Sequence, residues 1–201
     1  MKKTSFKYLC ITILVFSLLG GIALGEKEDS IRITEIAWSG TQADSEDQWM
    51  ELTNYSDSEV DLSGWELSWG EGYEEVKVPL GEEDVGTFEV KDHILEPGKA
   101  YLLELKDDET VATHEADVIY EGFLFKSGEK IVLKDDSGTE VDVVDASDGW
   151  PAGTDAEGEP PNASMELRDG DWVTCEEPGE HEDADGNPIY GSPGTPNEEQ
   201  E

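Results

Sequence analysis

Apolar residues recur along this chain at every second position, in runs of about five to seven residues. Polar residues, glycines and prolines separate the runs. "SIRITEIAW" places Ile31 and Ile33 on one face and then Ile36 and Trp38, so the alternation changes phase at Glu35. A one-residue phase change inside a strand predicts a β-bulge. "QWMELTN" alternates cleanly, with Met50 and Leu52 opposite Trp49, Glu51 and Thr53. "KAYLLEL", "ADVIY", "KIVLK" and "EVDVVD" repeat the style, and the last two are joined by Asp135-Asp136-Ser137-Gly138-Thr139, a hairpin signal. A further short strand is expected at Val76–Val78, inside an acidic, glycine-rich loop running from Gly70 to Gly86. Many short strands without a long helical period predict an all-β sandwich or barrel.

The first 25 residues follow a different rule. Lys2, Lys3 and Lys7 precede an apolar run from Tyr8 to Leu24, and Ala23-Leu24-Gly25 precedes the first acid, Glu26. This order predicts an export signal helix. The alternative is an uncleaved membrane anchor, for which the run is at the short end. Residues 26–30 then read as a linker, 31–197 as one domain, and 198–201 as a disordered tail. Residues 176–190 form an acidic irregular insertion within that domain. The expected location is extracellular or at the cell surface.

Charge narrows the functional classes. The 201 residues hold 50 Asp and Glu against 13 Lys and Arg, a formal net charge of −37. Such a field repels phosphate backbones and anionic lipid head groups, so no nucleic-acid partner is expected, and membrane contact only through an uncleaved N-terminal segment. The partner is expected to be extracellular or surface-bound. Cys175 stands alone once Cys10 leaves with the signal, and reads as a small apolar filler.

No motif for catalysis emerges. His93, His114 and His181 are scattered without metal-ligand spacing. There is no nucleophile elbow and no phosphate-cradling loop. With 50 acids, a pair of carboxylates at glycosidase spacing carries no information. The expectation is a non-enzyme without a cofactor. Asp183, Asp185 and Asn187 alternate around Gly186 as at the start of a calcium loop, but Pro188 and Gly194 stand where that loop needs glycine and glutamate. A turn is the better reading, beside weak calcium binding by the acidic surface. Asn54-Tyr55-Ser56 and Asn162-Ala163-Ser164 are glycosylation sequons.

"IRITEIAWSG" followed by "QWMELTNYSDSEVDLSGWEL", then "ILEPGKAYLL", "FKSGEKIVLKDDSGTEVDVVD" and a closing "SPGTPN", resembles the lamin tail domain family over about Ile31 to Asn197. One departure is "SMELR", which sets Arg168 one residue beyond the family's usual arginine. The resemblance implies an immunoglobulin-like β-sandwich in an exported, prokaryotic-type member whose role is binding or surface attachment. Under it, Gly64 supplies a turn and Trp65 fills the centre between the sheets. Glu35 and Glu51 sit inside apolar strand runs at positions where the family also has glutamate; they share a buried polar network that fixes strand register or else point to solvent, and a structural role is the expectation. A carbohydrate-binding sandwich using Trp49, Trp69 or Trp150 as stacking platforms is the alternative. A third class is an accessory subunit of a secreted hydrolase system.

Overall fold

The computed structural model describes residues 31–70, 75–81 and 89–197. The signal helix, the linker and the tail expected from the sequence lie outside these residues. Thirteen strands run in chain order among the described residues: β1 (Ile31–Ala37), β2 (Trp49–Asn54), β3 (Val60–Asp61), β4 (Glu66–Trp69), β5 (Val76–Pro79), β6 (Glu89–Val90), β7 (Ile94–Leu95), β8 (Ala100–Leu105), β9 (Val118–Tyr120), β10 (Lys130–Lys134), β11 (Glu140–Asp145), β12 (Met165–Arg168) and β13 (Asp171–Thr174). They form a seven-stranded sheet in the order β13-β12-β1-β2-β8-β9-β6, a four-stranded sheet in the order β11-β10-β4-β5, and the pair β3-β7. All pairings are antiparallel except β8 with β9, so the large sheet is mixed.

The alternation decides which side chains meet. Ile31, Ile33, Ile36, Met50, Leu52, Tyr101, Leu103 and Val118 of the large sheet share one buried cluster with Leu67, Trp69, Val78, Ile131, Leu133 and Val144 of the small one. Two sheets closed over one apolar layer make the expected all-β sandwich. The large sheet is buried on its other face as well. There Ala37, Trp49, Leu102 and Ile119 pack beneath Val111 and Ala116, from the crossover between β8 and β9, and Ile189 from the C-terminal segment. Parallel strands require such a crossover, and here it becomes a cover.

The phase change in β1 is a bulge. Ile33 pairs with Leu52 and Glu35 with Glu51, leaving Thr34 as the extra residue. The Ile33 N–H donates to Asp142 Oδ2 of β11 at 2.8 Å, and Arg32 pairs with the same carboxylate at 3.5 Å. The first strand is thereby tied to the edge of the opposite sheet. The β10–β11 hairpin also follows its sequence. Asp135 Oδ1 accepts the N–H groups of Ser137 at 2.9 Å and Thr139 at 2.8 Å, and Gly138 takes φ of 79°.

Gly64 has φ of 79°, and the N–H after it, on Trp65, donates to Leu62 O at 2.9 Å. A side chain there meets left-handed strain, and a Cβ would sit 3.2 Å from that of Asp136. Gly64→Ala should therefore cost about 1–2 kcal/mol, read as a lower denaturant midpoint. An unshifted midpoint would mean that the turn relaxes without penalty.

Trp65 does not occupy the centre between the sheets. It is half-buried at the border of the core. Trp69 takes the central place, edge-on to Tyr120 at 5.5 Å, with its Nε1–H donated to Phe123 O at 3.0 Å. The physical reason is that Trp65 lies before β4 begins, in the turn that Gly64 opens, whereas Leu67 and Trp69 point inward from the strand itself.

Candidate functional site

β12, β1 and β2 lie side by side, and their register places Glu166, Glu35 and Glu51 in one row on the outer face of the large sheet. All three are buried. What buries them is the segment Tyr190–Asn197, which crosses the row as a strap. Glu35 accepts Ser164 Oγ–H at 2.5 Å, Ser192 N–H at 2.9 Å and Ser192 Oγ–H at 2.7 Å. Glu51 accepts Gly194 N–H at 2.9 Å and Thr34 Oγ1–H at 3.1 Å. Asn197 closes the strap by donating its Nδ2–H to Thr34 O at 2.9 Å, the carbonyl of the bulge. Glu166 pairs with Arg168. Of the two readings the sequence left open, solvent-facing or buried, both strand glutamates take the buried one.

Burial controls the electrostatics of this face. It pushes the Glu35 carboxyl well above the usual carboxylate range, and the neighbouring Glu166 adds to the shift. Glu51 moves the same way, by burial and by Glu35. Glu104, on β8, is also buried and is raised to about 8. Cys175 is buried near Glu166, and its thiol is pushed up to about 12, which keeps it unreactive.

The other sequence candidates fall elsewhere. Asp183 is buried and acts as a turn staple. Its Oδ1 accepts N–H from Asp185 at 3.1 Å and Asn187 at 2.8 Å, and its Oδ2 accepts Ala43 N–H at 2.9 Å. Asn187 turns its Nδ2–H toward that carboxylate, and Asp185 points to solvent. The three residues therefore build the turn, and among the described residues no group of three or more His, Cys, Asp or Glu is arranged to hold a metal ion. His114 and His181, far apart in sequence, stand edge-to-face at 5.5 Å.

Neither sequon presents its amide. Asn54 Nδ2 donates to Ser58 O at 2.8 Å and Leu95 O at 2.9 Å, and Asn162 Nδ2 donates to Ser39 O at 2.9 Å. Both side chains are buried, so in the folded domain they hold loops rather than offer a glycan acceptor. Of the three tryptophans considered as sugar platforms, Trp49 and Trp69 are buried, and only Trp150 retains an open side, stacked on Trp38 at 6.1 Å and 4°.

One surface feature had no signal in the alternation. Phe123 and Phe125, in the segment between β9 and β10, are 43% and 51% exposed. Phe125 stands at a groove of about 380 Å³ whose other walls include Ser68, Lys130, Lys134 and Ser147. The strands hold this segment in place through Trp69 and Trp150, whose indole N–H groups donate to Phe123 O and Phe125 O.

A two-sheet all-β module, with its first strand held at the middle of the large sheet, is consistent with the immunoglobulin-like sandwich the resemblance implies. A model of the lamin tail domain matches residues 26–148, and the chain belongs to that family. No curated protein matches the chain. The matched stretch ends at Asp148, before β12, β13 and the strap.

Proposed function

We propose that this lamin tail domain is a non-catalytic binding module, exported by its N-terminal segment and displayed outside the cell or on its surface. The observation that carries this reading is the pair of exposed phenylalanines between β9 and β10, of which Phe125 stands at the groove. Large apolar side chains exposed together on an otherwise strongly acidic surface mark a contact region. They are presented by a segment that two indoles hold rigidly, which lowers the ordering cost of binding. The strand carboxylates, in contrast, are engaged in holding the chain's own strap. Their chemistry is structural, which supports a non-catalytic role.

The test is retention of partners by immobilised residues 26–201, compared with the double variant Phe123→Ser/Phe125→Ser. Wild type should retain at least one extracellular or surface component that the variant loses, while both melt at the same temperature. Equal retention by both would remove the groove from the function.

A further inference from the structure

We infer that the strap Tyr190–Asn197 is a pH-sensitive latch: it lies closed on the sheet while the Glu35–Glu51 pair retains a proton, and it lifts when both ionise, uncovering the outer face around Trp49. The geometry sets this up in three ways.

First, the strap has no charge of its own to offer. Its sequence, "YGSPGTPN", contains no acid and no base, and Tyr190 is its one ionisable side chain. It docks through uncharged donors, the N–H groups of Ser192 and Gly194, the Ser192 hydroxyl and the Asn197 amide. Second, the carboxylates beneath it are cross-strand neighbours. Glu35 sits between Glu166 on one side and Glu51 on the other, at the spacing where like charges oppose one another. Third, compensation from the surroundings is sparse. β12 brings Arg168, which pairs with Glu166, and Cys175 follows β13. β8 brings another acid, Glu104. The crossover brings Asp108, Asp117 and His114, whose ring lies against Gly194, and the C-terminal segment brings His181 beside His114. No described lysine or arginine forms an ion pair with Glu35 or Glu51.

The sign follows from linkage. With the strap closed, the donors of Ser192 and Gly194 favour the ionised carboxyls, but burial without a cation outweighs them and raises both above their ordinary range, so the closed form binds more protons than the open, hydrated one. Rising pH therefore favours opening, and falling pH favours closure. Lifting the strap hydrates the carboxylates and exposes Trp49, against which Gly191 now packs so closely that a Cβ would come within 2.8 Å of the indole.

Amide hydrogen exchange, expressed as protection factors so that base catalysis cancels, tests the latch on residues 26–201. Protection of Ser192 and Gly194 should fall at least tenfold between pH 6 and pH 9, while the amides of β2 and β10 stay protected. Glu35→Gln/Glu51→Gln, which cannot ionise, should flatten that loss, and each single glutamine variant serves if the pair does not fold. His114→Gln should leave it intact, separating the carboxylates from the imidazole. Constant protection across the range, loss in step with β2, or an unaltered loss in the glutamine variants would each overturn the latch.

Discussion

A chain ended at Asp148, where the family match stops, should fail to fold. The truncation removes β12, the antiparallel neighbour of β1, and with it Met165 from the central core. It also removes Ile189 and the strap from the outer face, so Trp49 loses the cover of Gly191 and the outer cluster keeps only Val111 and Ala116 above it. Glu35 loses the donors of Ser164 and Ser192, and Glu51 loses that of Gly194. Hydration relieves the carboxyls, but not the apolar surface nor the open edge of β1, a liability that folded proteins cover. Each fully buried large side chain contributes about 1.5–3 kcal/mol. Losing the cover of several is comparable with the whole margin of an ordinary domain, about 5–15 kcal/mol. Residues 26–148 should show no cooperative thermal transition and no near-ultraviolet dichroism, where residues 26–201 show both. A cooperative melt of the short form within a few degrees of the long one would mean that β12, β13 and the strap are accessories.

The second large effect belongs to Trp69. Trp69→Ala should cost about 3–5 kcal/mol, the usual range for truncating a buried tryptophan. The indole fills the space between the sheets against Tyr120, and it also satisfies Phe123 O, which would be left without its donor. Trp65→Ala should cost clearly less, because that ring already meets solvent at the border of the core. Urea denaturation of the two variants side by side decides the order. Equal losses would return Trp65 to the centre.

The difference between these two tryptophans shows what the sequence could express. Strict alternation in β2, β8 and β10 was enough to place their faces, because each pairs over most of its length and buries one side in the shared core, whereas in β11 a register shift buries Val144 and leaves Val143 exposed. The bulge was legible for the same reason, since one inserted residue shifts every later side chain. Trp65 was misplaced because its parity matches Trp69, while the turn at Gly64 ends the regular geometry just before it. The β12–β13 hairpin carried a signal that alternation alone does not reveal. Asp169-Gly170 sits between "MELR" and "DWVT", both turn residues have positive φ, and this is the dipeptide that a tight hairpin favours. β3, β6 and β7, at two residues each, exist only because neighbours pair with them. The direction of β9 relative to β8 was invisible, as alternation is identical in parallel and antiparallel strands.

The candidate site was legible in half. Glu35 and Glu51 stood out as acids inside apolar strands, and "SPGTPN" stood out as a closing motif, but nothing local connected them. Their hydrogen bonds join residues 129, 157 and 143 positions apart. Glu166 was hidden within a short strand, and Ser164 reads from sequence as an ordinary loop residue. Phe123 and Phe125 lie outside the alternating runs, and exposure of an apolar residue is decided by the fold around it.

The hydrogen bond from the Asn197 side-chain amide to the bulge at Thr34 spans 163 positions. During synthesis, therefore, the first strand to emerge is among the last to be finished. It can pair early with β2, yet one edge and one face stay open until β12 and the strap have arrived. Such long-range closure slows folding, and it also makes completion self-checking. A molecule that lacks the strap, through early termination or proteolysis, is recognisable by the uncovered Trp49, so the native surface itself reports that the strap is in place.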